Sequence, residues 1–400
     1  MRRIVFVNLH GNEFLVKTLN KILFGQSVAI KHGYILDYLL NRDDIEVCSY
    51  INKRGLALSY TTRNPFLQAF RFFEHRWTMR KNGIPQKKIK VLKDESEIRP
   101  DDIVVCYAYY HSTQFDWREV PDATRVVCEI HFGTAHSDKS RQFDPHALYN
   151  ESNLQKYSEM WQRDLPWFTR QFITIPFVPQ SRFRVKVPFE QRKNKAVGMG
   201  TITYMHNITG FYGDSCAQPA RRNCRVLAAE RNDLIDSFNF DYNEDRQDVK
   251  RKPTKNRIIS IYRRLYDKIH GGHQKKYYSF DMVDKFNEYR MAVVGEEIMG
   301  IPGIGFVEAM ACGCAMIGQT KGYYEDYGMQ EGVHYIGYDG TKEDIARTIE
   351  YWQQARNQDR LAQIAEAGQR FVSENFRPEK IAANLTEQLL KLNTNQYGNA

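Results

Sequence analysis

The stretch from Met291 to Gly318 constrains this chain more than any other. A β-branched run (Met291 to Val294) leads into a loop holding Gly300, Gly303 and Gly305, then a short helix of small residues (Ala309, Ala311, Gly313), then another apolar run at 315–318. Strand, glycine turn, helix and strand in that order predict a parallel crossover within an α/β domain. Glycines let a ligand approach the backbone closely, and the start of the following helix offers N–H groups and a positive dipole end, which suits a diphosphate. Glu308, about one turn into the helix, is spaced to accept two hydrogen bonds from a ribose diol.

The flanking sequence repeats the same grammar. Strands are predicted at 3–9, 45–51, 103–106 and 125–130, with a helix over 27–41 where Ile30, Tyr34, Ile35 and Leu39 share a side. Polar loops follow: His10-Gly11-Asn12 after the first strand, His111 and His131 after the third and fourth. Two prolines within four residues, Pro176 and Pro179, sit inside a link at 172–183, and a charged stretch carries on to Lys195. A second strand–loop start appears at 195–201, then a helix over 220–238 and a polar, basic surface insertion at 240–258. Further strands are expected at 276–280, 291–295, 315–318 and 334–338, and amphipathic helices over 342–392 that break near Phe376-Arg377-Pro378. These boundaries predict residues 1–178 as one domain, 179–375 as a second, and 376–400 as a terminal helix and tail.

Composition narrows the function classes. No run approaches eighteen apolar residues, which excludes a spanning helix, and the start lacks a secretory pattern. Seven cysteines, scattered and several in apolar runs, read as buried thiols of a reducing, cytoplasmic compartment. Cys312-Gly313-Cys314 has no second Cys/His pair at zinc spacing, so it reads as packing and no metal site is expected. The formal charge of +9 fits an anionic partner. Residues 66–93 mix Phe66, Phe70, Phe72, Phe73 and Trp77 with Arg71, Arg76, Arg80, Lys81, Lys87 and Lys88. That mixture allows a core-plus-surface helix, a face that docks on a membrane or lipid acceptor, or a nucleic-acid contact. No DNA or RNA module signature accompanies it, so no nucleic acid is expected.

Phe306-Val-Glu-Ala-Met-Ala-Cys-Gly-Cys-Ala-Met-Ile resembles the "(F)xEAMACGxPVI" signature in the C-terminal domain of GT-B glycosyltransferases, near family 4 and the group 1 glycosyl transferases. The likeness runs to about residue 385 through Gly322-Tyr-Tyr-Glu-Asp-Tyr-Gly, Glu331–Asp339 and the terminal helices. Val197-Gly198-Met199-Gly200 is similar to the strand that opens the family's donor domain, and 176–183 to its linker. The resemblance implies two Rossmann-like domains facing a cleft, with the terminal helix crossing back to the first. It further implies a hexose moved from a nucleotide-diphosphate sugar to a glycan or glycolipid acceptor, without a bound metal or other cofactor. The absence of any D-x-D motif agrees with that fold over the other main glycosyltransferase fold.

Carried over residue by residue, the resemblance makes Gly303, Ile304, Gly305 and Phe306 the backbone cradle of the diphosphate, with Gly200 and Thr201 beside it. It makes Glu308 the ribose contact, Gly11 a rim residue, and His131 the imidazole at the reaction centre, where a near-neutral pKa suits acid–base work; an ordinary strand-end histidine is the alternative for His131. Two departures matter. The second carboxylate of the family's E-x7-E pair falls on Gly300, with Glu296 and Glu297 out of register, and Thr201-Ile202-Thr203 stand where the family clamps the diphosphate with Arg and Lys. Arg221, Arg222, Lys255, Arg257, Arg263 and Arg264 are the basic candidates to replace that clamp. A nucleotide-sugar epimerase or hydrolase of the same fold, or a basic scaffold without activity, are the competing readings; retention of anomeric configuration and a role in cell-surface polysaccharide or glycoconjugate synthesis at the membrane inner face are the accompanying expectations.

Overall fold

A computed structural model describes residues 1–12, 14–19, 22, 30–51, 65–107, 123–129, 146–149, 172–174, 176–204, 216, 218–241, 244–245, 280–296, 302–320 and 324–392. The chain divides into two compact units, Met1–Pro176 with Arg377–Ala400, and Phe177–Phe376.

Strands β1 (Arg2–Val7), β2 (Ile45–Tyr50), β3 (Lys90–Leu92), β4 (Ile103–Tyr107), β5 (Thr124–Glu129), β6 (His146–Tyr149) and β7 (Phe172–Thr174) build the first sheet in the order β3-β2-β1-β4-β5-β6-β7. Every neighbouring pair is parallel. Helix α1 (Gly33–Leu40) is shorter than the expected 27–41 and begins after Ile30; it buries Ile35 and Leu39 as expected, with Leu36 beside them, and leaves Tyr34 half-buried. The second helix, α2 (Pro65–Lys81), inverts that pattern. Arg71, His75 and Thr78 are buried while Phe70 and Phe73 lie 47% and 62% exposed, their rings 6.3 Å apart.

The second unit holds β8 (Lys193–Ile202), β9 (Ile235–Asp241), β10 (Tyr289–Val293), β11 (Ala315–Gln319) and β12 (Ile336–Tyr338) in the order β12-β11-β10-β8-β9, again all parallel. Among its described helices are α3 (Pro219–Glu230), α4 (Met282–Glu288), α5 (Gly305–Ala311), α6 (Lys342–Gln353) and α7 (Gln358–Asn375). One apolar cluster, with Phe306, Met310 and Tyr324, packs around α5, and another, with Leu227, Ile345 and Ile364, around α3, α6 and α7. Strand β11 is buried along its whole length, as a strand covered on both faces must be. The last helix, α8 (Pro378–Lys391), starts with proline at its first turn, and packs on α1 and β7 of the first unit.

Two expectations need correction, and a third lies almost wholly outside the described residues. The helix over 220–238 stops at Glu230: Arg231 pairs with Asp233 in a turn, and Ile235–Asp241 then forms β9, with seven residues paired to β8. Tertiary pairing overrode a helical reading of this half-polar sequence. Phe172–Thr174 is a strand of the first sheet instead of part of the link. Of the strand expected at 276–280, only Phe280 is described, and it is not in a strand. The short β3, β6 and β7 carry too few residues for a period to show. The helix break at 376–377 falls where Pro378 puts it, and a further break at 354–357, which no expectation marked, separates α6 from α7.

One buried ion pair anchors the first sheet. Arg3 Nε of β1 lies 3.2 Å from Asp102 Oδ1, whose other oxygen accepts the Arg99 N–H, and Arg3 donates to the Glu97 carbonyl at 3.0 Å. Both side chains are almost wholly buried. Removing one member of a buried pair leaves the other uncompensated, so Asp102→Ala is expected to cost about 3 kcal/mol. A fall in urea midpoint at unchanged m-value measures it.

Candidate functional site

In an open parallel sheet, ligands bind beyond the carboxyl ends of the strands, where the strand order reverses. In the second unit that reversal lies between β8 and β10, since β9 continues on one side and β11 and β12 on the other. The glycines at both strand ends are occupied from above by one side chain. Arg221, in the first turn of α3, donates from Nη1 to the Thr201 carbonyl at 2.8 Å and from Nη2 to the Gly295 carbonyl at 3.1 Å. A Cβ at Gly200, where φ is +137°, would come within 2.6 Å of the guanidinium, and one at Gly295 within 2.1 Å of the Arg221 side chain. The sequence needs glycine at both places because an arginine fills the space.

Gln218, at the head of α3, holds the chain leaving β8. Its Oε1 accepts from the Thr203 N–H at 2.8 Å and hydroxyl at 2.9 Å. Thr203 thus serves the loop, and the cation comes from the helix. Of the basic candidates, Arg221 is the one at the strand ends, and Lys255, Arg257, Arg263 and Arg264 lie outside the described residues.

A buried carboxyl stands at the end of β10. Glu296 is 1% exposed. Its Oε1 accepts the Gln319 backbone N–H at 2.8 Å and the Tyr324 hydroxyl at 3.0 Å, and its Oε2 the Tyr338 hydroxyl at 3.4 Å. Burial pushes this carboxyl up to about 7, against the opposing pull of those donors. The burial of Tyr324 and Tyr338, with Glu296 beside them, drives both phenols up. The sequence reading set Glu296 aside as out of register with E-x7-E; no motif marks it, and only its donors reveal it.

Gly303 and Phe306 are buried, and Ile304 and Gly305 half-buried, at the start of α5. No side chain caps that helix. The Phe306 N–H donates back to the Gly303 carbonyl at 3.3 Å, and the Phe306 ring belongs to the core, packed 5.6 Å from Tyr324 and 5.7 Å from Phe376. Glu308 is buried on the same helix. Gly300 and Glu297 lie outside the described residues.

In the first unit the strand order reverses between β1 and β4. Gly11 lies there, in the short turn Leu9–Gly11 after β1, preceded by Asn8 with a left-handed φ of 52°. His10 is buried, its ring 5.6 Å from that of His75 on α2, and its Nε2 4.0 Å from Glu74. Burial lowers His75 to about 4, so that ring is neutral. His131 and His111 lie outside the described residues. Cys48, Cys224, Cys312 and Cys314 are buried free thiols, and no cluster able to hold a metal occurs among the described residues.

Residues 248–387 match the family described as glycosyl transferase-like. The fold is similar to that of Anabaena Alr3699/HepE, solved in complex with UDP: TM-score 0.50 at 10% identity, covering 98% of this chain and 100% of that one. The chain has the GT-B fold. The sucrose-phosphate synthase of Thermosynechococcus elongatus (TM-score 0.48, 12% identity, 97% and 98% covered) and a glycosyltransferase from Rickettsia africae (0.45, 10%, 98% and 99%) are also similar. No curated protein matches this chain in sequence.

Glu296 gives stability a pH signature. Its folded pKa of about 7 exceeds the ordinary 4.5, so the folded state keeps a proton that the unfolded state loses. The contribution is fully present below the unfolded value and is lost as pH rises through the folded one, about 3 kcal/mol in all. Against Glu296→Gln, the native chain is therefore expected to lose melting temperature between about pH 5 and 8, by calorimetry in matched buffers.

Proposed function

We propose that this chain is a glycosyltransferase, which takes a hexose from a nucleoside-diphosphate sugar bound on the second unit and passes it to a glycan or glycolipid acceptor on the first. The observation that carries the donor half is the Arg221 guanidinium across the ends of β8 and β10, at the crevice where parallel sheets take nucleotides. A fixed cation there offsets the charge that grows on the departing diphosphate. It supplies what the Thr201-Ile202-Thr203 sequence lacks. Gly200 and Thr201 then border the phosphates, Gly303 to Phe306 line them from the start of α5, and Glu308 meets the ribose. His131, with Glu308 the residue the family resemblance ties to catalysis, serves the reaction centre, and no metal or other cofactor takes part in this reading. The relative Alr3699/HepE was solved with UDP, which makes UDP the first nucleotide to try.

A glycolipid acceptor is favoured by the outer face of α2. Phe70 and Phe73 project from it, and Arg76, Arg80 and Lys81 on the helix, with Lys87 and Lys88 beyond it, are exposed. Aromatic side chains with cations around them suit a surface of anionic lipid. No helix among the described residues is long and apolar enough to cross a membrane. The proposed location is therefore cytoplasmic, peripheral at the membrane inner face, in polysaccharide or glycoconjugate synthesis.

Ligand binding to the folded state raises the melting temperature by mass action. UDP, GDP, ADP and CMP, each with its sugar conjugate, are expected to yield one selective rise, and Arg221→Ala to weaken that ligand at least about tenfold, as loss of a charge-assisted contact does. No rise with any nucleotide in folded protein would overturn the donor assignment. For the membrane contact, Phe70→Ser with Phe73→Ser is expected to abolish co-flotation with vesicles rich in anionic lipid. Undiminished flotation would remove that face from the proposal.

A further inference from the structure

The Glu296 cluster joins elements that are far apart in sequence and meet at the donor side of the second unit. Through Gln319 it holds the end of β11, through Tyr338 the end of β12, and through Tyr324 the segment packed against α5. Tyr324 also sits tightly over Gly318, where a Cβ would lie 2.6 Å from its ring. The Gln319 amide donates to the Tyr338 hydroxyl at 3.3 Å, so the carboxyl and two phenols form one connected group.

We propose that Glu296 is a positioning residue of the donor site: through Tyr324 and Phe306 it sets the place of α5, which carries Gly305 and Glu308, relative to the ends of β10 and β11. This inference rests on the donor reading above. It concerns a residue that the E-x7-E pattern does not include. The chain of contact is continuous: Glu296 Oε1 to the Tyr324 hydroxyl, the Tyr324 ring edge-on to Phe306, and Phe306 in the first turn of α5.

The partners explain why a carboxyl stands here. Three donors converge on its two oxygens, whereas a glutamine would turn an NH2 group towards one of them. The surrounding titratable groups are Tyr324 from the segment after β11, Tyr335 and Tyr338 from the β12 region, and Cys224 from α3, with Arg221 acting on Cys224 from the same helix. Apart from Arg221 they are neutral around pH 7, so Glu296 is the group among them that changes charge near neutrality. Ionised, it is the stronger acceptor for all three donors, and the clamp on Tyr324 tightens.

The test uses the full-length chain and the nucleotide-sugar conjugate that raises the melting temperature of the native protein, because a diester diphosphate does not itself titrate near neutrality. For the native chain, affinity is expected to rise about threefold or more from pH 6 to 8 as the carboxyl ionises. Glu296→Gln is expected to bind at least about tenfold more weakly, with a flat profile. Tyr324→Phe keeps the ring against Phe306 and removes only the hydroxyl, so it decides the matter if Glu296→Gln does not fold; it is expected to weaken binding and flatten the profile. Absence of any response in the native chain would remove the donor reading, and this inference with it. A native response with unchanged affinity and pH profile in Glu296→Gln, or in Tyr324→Phe should the first not fold, would overturn the positioning role while leaving the donor reading intact.

Discussion

All the named strand pairs run parallel, and that constraint shapes the rest of each unit. Parallel neighbours cannot be joined by a tight turn, so each crossover carries chain over a sheet face, and all the carboxyl ends open along one edge. Loops on that edge converge although their residues lie far apart in sequence. In the second unit the edge gathers residues 200–203, 295–296, 319 and 338. A polar network there is a product of topology.

Two ionisable side chains, the half-buried Arg221 and the buried Glu296, then divide the work along that edge. Arg221 closes the gap between β8 and β10, where strand order reverses, and its contacts to two backbone carbonyls hold the guanidinium in place. Glu296 does the complementary task between β10, β11 and β12, tied by hydrogen bonds to a backbone amide and two phenols. Such buried groups are costly unless their partners are complete, which confines them to places where geometry matters.

The first unit shows a different departure from the usual ledger of inside and outside. Helix α2 places arginine, histidine and threonine inward, against the loop after β1, and phenylalanine outward. Exposed aromatic side chains are individually common on protein surfaces, so the departure here is the polar character of the inward face. The two faces are parts of one arrangement, since a helix turned to bury Phe70 and Phe73 would expose Arg71, His75 and Thr78, together with Met79, instead.

Periodicity and glycine placement made the α/β class, the first strands and the 291–318 unit legible, because each depends on contacts close in sequence. The EAMACG segment carried the family resemblance for the same reason. The end of the helix after Pro219 was not legible: whether 235–241 extends that helix or pairs with β8 depends on a partner strand about forty residues earlier. Nor was the direction in which α2 faces, for an amphipathic pattern with histidine and arginine on one side and phenylalanine on the other does not say which side meets the core. The sequence alone determined the class of fold and the place of the glycine-rich turn. Tertiary structure decided that Arg221, from a helix, fills the end of β8, and that Glu296 is a buried hub. Both outcomes follow from strand ends brought together by a parallel sheet, a proximity that no local spacing encodes.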